Sequence, residues 1–97
     1  MELVSSFKLV NMQFRSILTL TNNTILGGAY QKEGNNYFIQ FKINEQNEIK
    51  EISRKEKAHS TIIWELAILS HNDEGEKIIS VSDDGYIKIW ELNYFFP

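Results

Sequence analysis

The chain contains no cysteine, so neither disulfides nor thiolate metal sites hold it together. Its stability must come from an apolar core or from association. The single proline is the last residue, Pro97, so nothing in the interior forbids regular structure. The residues Met1-Glu2-Leu3-Val4-Ser5-Ser6 have neither the charged n-region nor the apolar h-region of a signal peptide, so no secretory context is expected. The most apolar stretch, Ile62 to Leu69, is broken by Glu65 and is far shorter than the roughly 20 residues that span a bilayer. Nor is there an excess of positive charge: 10 Lys and Arg stand against 13 Asp and Glu, for a net charge of −3. The densest basic stretch, Lys50 to Lys57, has Glu51 and Glu56 within it and reads as a mixed, solvated segment. These features argue against a generalised phosphate-binding surface, since it needs clustered Lys and Arg. The partners expected are proteins, with no nucleic acid and no membrane. The expected location is intracellular, cytoplasmic or nuclear, with the cytoplasm favoured.

What is present is ordinary globular composition, 42% hydrophobic and 24% charged. Period-two alternation with β-branched and aromatic residues dominates. It predicts strands over 3–10, 16–20, 24–30, 37–43, 48–52, 62–69, 77–82 and 86–92. Turns fall at Thr21-Asn22-Asn23, Lys32-Glu33-Gly34-Asn35-Asn36, Asn44-Glu45-Gln46-Asn47 and Asp83-Asp84-Gly85. A polar connection runs from Ser53 to Ser60 and a polar loop from Ser70 to Glu76. No stretch of twelve residues keeps a helical period with caps. The expected class is all-β.

Two segments repeat. Tyr37-Phe38-Ile39-Gln40-Phe41-Lys42-Ile43-Asn44 aligns without gaps on Tyr86-Ile87-Lys88-Ile89-Trp90-Glu91-Leu92-Asn93, 49 positions further on. A period of this size suits a four-stranded propeller blade of about 40–50 residues. The stretch from Ile78 through Ser80, Ser82, Asp83-Asp84-Gly85 and Trp90 to Glu91 resembles the signature that closes each repeat of the WD-repeat β-propeller family. Ala58-His59 stands where that family has Gly-His, and Ile63, Leu66 and Ile68 fit its innermost strand. The match is specific over 58–93. Over 11–57 it is degenerate, with Phe41 in place of the Trp and no clear counterpart of the Asp or the His.

The resemblance implies an outer strand of a preceding or closing blade over 1–10, a degenerate blade over 11–57, and a blade over 58–97 with an apolar tail, Tyr94-Phe95-Phe96. Ninety-seven residues then make about two antiparallel four-stranded blades of an incomplete ring, where closed propellers have about 4–8. Such a chain is expected to be a fragment of a longer propeller or, as the alternative, a self-associating structural protein whose two-blade chains close a ring together.

In the family, His, Ser, Asp and Trp form a hydrogen-bonded structural tetrad, and the resemblance assigns that role to His59, Ser82, Asp84 and Trp90. Asp84 orients His59, whose other nitrogen meets the Ser82 hydroxyl, which reaches the Trp90 N–H. Independently of the family, Asp84-Gly85 between apolar strands is a hairpin signal, because both residues tolerate positive φ. The indole N–H of a buried Trp90 requires an acceptor. No catalytic residue is expected. Ser82 lies in a strand run and the chain has no G-x-S-x-G, so a Ser–His–Asp hydrolase is disfavoured. His71, Asp73 and Glu74 share one polar loop without paired ligand spacing and read as solvated, so no metal and no cofactor are expected. The glycosylation sequon Asn22-Asn23-Thr24 lacks a secretory context and reads as chance.

Trp64 and Glu65 fall where the family pattern places a bulge facing the propeller's upper surface, and Asp83 lies on that same surface. A large aromatic there suits a binding anchor. The expected function is therefore a non-catalytic protein-interaction scaffold, with Trp64, Glu65 and Asp83 as the contact residues.

Overall fold

A computed structural model of the chain describes residues 1–21, 23–31, 34–73 and 75–93. The tail Tyr94-Phe95-Phe96, Glu74 and Asn22 of the expectations above lie outside the described residues. Seven strands follow one another: β1 (Met12–Thr19), β2 (Thr24–Gln31), β3 (Asn36–Ile43), β4 (Ile49–Glu56), β5 (Ile63–Asn72), β6 (Gly75–Ser82) and β7 (Ile87–Asn93). They form two antiparallel meanders, a four-stranded sheet in the order β1-β2-β3-β4 and a three-stranded sheet in the order β5-β6-β7. The all-β class holds, with no helix among the described residues. The repeated segments are β3 and β7, each the third strand of its meander.

Short turns with one left-handed residue set these registers. In the β1–β2 turn Asn23 has φ 65° and donates its N–H to Leu20 O at 3.2 Å. Asn47 does the same between β3 and β4, with φ 63° and a 3.0 Å bond to Asn44 O. There the Asn44 carboxamide oxygen also accepts from the N–H groups of Gln46 and Glu48, both at 2.9 Å. Gly85 closes the β6–β7 turn at φ 84°, bonded to Ser82 O at 3.2 Å. Of the Asp84-Gly85 pair only the glycine takes the positive φ, as a three-residue hairpin with a left-handed final residue requires.

The two sheets pack face to face. Leu20, Leu26 and Phe38 of the first bury against Ile63, Leu66 and Ile78 of the second, with Ala58 between them and Leu18, Trp90 and Leu92 at the margin. Phe38 meets Trp90 edge-on, with ring centroids 5.0 Å apart. Backbone closeness matters at Gly28, where an added Cβ would stand 2.4 Å from Ser16 Oγ and 3.3 Å from Ile63 Cβ. Ser16 Oγ spans this gap, donating to Ile63 O at 3.3 Å. The opposite face of the first sheet carries a second apolar cluster of Ala29, Tyr37, Ile39 and Phe41.

Three expectations change. Residues 1–9 form no strand. Their alternation marks which side chains seek burial, but a strand also needs a backbone ladder to join. Instead Leu9 packs against the second apolar cluster and Phe7 meets Phe41 edge-on at 5.2 Å. The fourth strand runs on through Ser53 to Glu56, pairing Tyr37 with Glu56, because an exposed edge strand is held by its backbone and can be polar throughout. The polar loop at 70–76 is largely strand, since the β5–β6 ladder continues through Ser70↔Lys77, His71↔Glu76 and Asn72↔Gly75.

Gly28→Val is expected to lower the unfolding free energy by about 1–3 kcal/mol, the usual cost of overpacking a close contact. Urea denaturation monitored by circular dichroism measures it, and unchanged stability would refute the close packing of β2 on β5.

Candidate functional site

His59 follows Lys57, a residue in left-handed conformation (φ 57°), on the connection between the sheets, and it is 2% exposed. Asn36, itself 1% exposed at the start of β3, clamps the His59 backbone from the first sheet. Its Oδ1 accepts from His59 N at 2.7 Å, and its Nδ2 donates to His59 O. The imidazole then reaches into the second sheet. Its Nδ1 lies 3.0 Å from Asp84 Oδ2 and its Nε2 lies 2.6 Å from Ser80 Oγ. Trp90 Nε1–H donates to the same Ser80 Oγ at 2.9 Å. One assignment of protons satisfies the whole chain of bonds. His59 Nδ1–H donates to Asp84, Ser80 O–H donates to Nε2, and Ser80 Oγ accepts from Trp90.

The structure thus brings His59, Asp84 and Trp90 together but places Ser80, not Ser82, at the junction. The hairpin register explains the correction. Trp90 pairs with Ile78, so Ser80 is its diagonal neighbour and Ser82 lies a further two residues away along β6. Ser82 Oγ instead accepts from Asp84 N at 3.2 Å and donates to Thr61 O at 3.5 Å. The register was in the sequence: folding the chain back about the Asp83-Asp84-Gly85 turn sets Trp90 opposite Ile78, which leaves Ser80 closer to it than Ser82.

Asp84 has several donors. Besides His59, Ser60 N donates to its Oδ2 at 3.0 Å and Tyr86 N to its Oδ1 at 2.9 Å. Desolvation opposes its charge, but the bonds from Tyr86, Ser60 and His59 outweigh it and lower its pKa from 3.8 to about 2. Ser80, His59 and Asp84 have the connectivity of a hydrolytic triad. Ser80, however, is 0% exposed and its oxygen is held by Trp90 as well as His59, so no substrate atom reaches it. Among the described residues no group of three His, Cys, Asp or Glu is placed to hold a metal. Asp73 is exposed, and His71 Nδ1 lies 3.2 Å from Thr21 Oγ1.

A second polar tie joins the sheets at the other end of the interface. Glu76, 3% exposed on β6, accepts through Oε1 from Thr21 N at 2.7 Å and from Thr21 Oγ1 at 2.6 Å. Nothing in the sequence marks Glu76 as buried, because its partner lies 55 residues away.

The surface group forms where two bulges meet. In β5 the register skips between Ile63 and Glu65, leaving Trp64 without a ladder partner; in β1 it skips between Phe14 and Ser16, leaving Arg15 likewise. Trp64 is 48% exposed, its Nε1–H donates to Asp83 Oδ1, and the Arg15 guanidinium lies 5.8 Å from its ring centre. Trp64 and Asp83 are therefore adjacent. Glu65 is exposed opposite Val81 and stands outside that hydrogen bond. Arg15 has no counterpart in the sequence reading, since its proximity to Trp64 depends on the packing of two sheets.

Ser80→Ala should cost about 1–3 kcal/mol, because it strands Trp90 N–H and His59 Nε2 in a buried site. Ser82→Ala should cost less; equal losses in urea denaturation would undo the assignment. A carboxylate whose pKa is lowered by folding stabilises the fold above its unfolded value and loses that contribution as pH falls through its folded value. The melting temperature should therefore drop as pH falls from about 4 to about 2, and Asp84→Asn should flatten that limb. An unchanged acid limb in Asp84→Asn would place the titration elsewhere.

No protein-family model, no curated protein and no solved structure matches this chain, so its own residues are the ground on which a function is argued.

Proposed function

We propose that the chain is a non-catalytic protein-interaction module, built of two WD-repeat-type propeller blades that display loops to a protein partner. The blade reading is supported by the link from Asp84 through His59 and a serine to Trp90, the order of residue types the resemblance implies, with Ser80 standing where it put Ser82. The interaction reading rests on Trp64. It is half-exposed yet held on two sides, by Asp83 and by Arg15. An aromatic fixed before its partner arrives loses little side-chain freedom on binding, and tryptophan is enriched among residues that dominate interfaces. Arg15 and Asp83 beside it supply charges of both signs, suited to a polar rim.

The division of labour between the two tryptophans tests this reading. Trp64→Ala should change the melting temperature little and sharply reduce the proteins captured by the immobilised chain, read by quantitative mass spectrometry. Trp90→Ala should lower the melting temperature strongly, since it removes a partly buried ring packed on Phe38 and takes away the donor to the buried Ser80 oxygen. Identical capture by wild type and Trp64→Ala would overturn the role given to Trp64.

A further inference from the structure

Each sheet buries one face against the other and turns an apolar face outward. On the second sheet Ala67, Ile79 and Ile89 lie side by side across the ladders, with Val81 and Ile87 in the next row. Ile87 is 68% exposed and Ile89 61%. The outward face of the first sheet holds a groove of about 380 Å³ lined by Phe14, Ile17, Ile25, Phe41, Ile43 and Ile49.

The internal repeat relates these two faces. Across the interface within the chain, Phe38 meets Trp90 edge-on at 5.0 Å. The same 49-residue offset that superposes β3 on β7 carries Phe38 to Ile87 and brings Trp90 back to Phe41. Ile87 thus occupies, on the second sheet, the position from which Phe38 reaches its neighbour. Phe41 occupies, on the first sheet, the position in which Trp90 receives it. Phe41 already has an aromatic visitor: Phe7 packs on it edge-to-face at 5.2 Å and 67°, close to the 5.0 Å and 82° of Phe38 on Trp90. Phe7 belongs to a segment with no ladder of its own and is 38% exposed.

The accessible surface gives room for a partner. At 6791 Å² it exceeds the roughly 5,700 Å² typical of a folded monomer of this mass by about 1,000 Å². That excess is of the order of what one partner contributes to a standard protein interface, about 800 Å².

We infer that the chain binds a second copy of itself head to tail, seating the Ile87–Ile89 face of one copy in the Phe41 groove of the next, and that Phe7 holds this groove until it is displaced. The inference goes beyond the partner-binding role of Trp64 and stands on different residues. A contact of this kind is heterologous, so each copy keeps one free face until a ring closes.

Sedimentation velocity on the full chain across a concentration series tests it. Wild type should gain mass with concentration. Phe7→Ala, which clears the groove, should do so at several-fold lower concentration. Ile89→Glu and Ile17→Glu alter side chains that are 61% and 69% exposed, so the fold tolerates them, and each alone should remain monomeric. Their equimolar mixture should form a dimer and nothing larger, because it retains one intact head and one intact groove. Ile87→Glu gives a second head variant should Ile89→Glu disturb the sheet. Wild type and Phe7→Ala that both stay monomeric would assign the two faces to other occupants and overturn the inference. Association undiminished by Ile89→Glu, or a mixture that forms no dimer, would overturn it equally.

Discussion

A buried imidazole brings two nitrogens that must both be satisfied, one as donor and one as acceptor, and the surroundings of His59 are arranged to do this. Asp84 accepts a hydrogen bond from Nδ1–H, Ser80 O–H donates one to Nε2, and Trp90 N–H donates to the Ser80 oxygen. The backbone of His59 is held by Asn36 of the other sheet. One side chain therefore binds the β6–β7 turn, the middle of β6 and the third strand of the second sheet to the first strand-turn of β3. Where Trp90 stands decides where Phe38 packs, and hence how the sheets lie on each other. Buried polar networks of this sort are worth most when complete, since the low dielectric that strengthens each bond also makes a lost partner costly.

At the other end of the interface, Thr21 and Glu76 perform a comparable task with fewer parts. Apolar burial between the two ties is non-directional and by itself permits the sheets to slide. The pair of polar contacts fixes the sliding coordinate at both ends. The outward faces have no such fixing. Each sheet carries apolar side chains on both faces, and Phe7 and Leu9 shield only part of one of the outward ones.

Much of this was legible in the sequence, and the boundary between what was and what was not has a physical cause. Strands β2, β3, β6 and β7 follow from alternation, and the repeat of β3 in β7 identifies two structurally equivalent positions. Local chemistry gave the turns, because left-handed backbone is read directly from Asn and Gly. Residues 3–10 alternate without forming a strand, because alternation reports the wish for burial and not the availability of a ladder. The outer half of β4 carries no pattern, because it has no apolar side chains to mark it. Ser82 and Ser80 look alike in the sequence because both face the same way, and only the pairing of Trp90 with Ile78 separates them. Arg15 and Glu76 were invisible, since each meets its partner across some fifty residues of chain.

The two bulges have a further consequence. Trp64 is an extra residue of β5 and Arg15 of β1, each without a partner in its ladder. A replacement at either position alters no register, no cross-strand pair and no buried contact of the kind that holds the sheets together. Selection can therefore rewrite the chemistry of this one surface spot freely, while His59, Ser80, Asp84 and Trp90 remain under the constraint of folding. The architecture separates what is free to diversify from what is not, and it does so by one inserted residue in β1 and one in β5 at this spot.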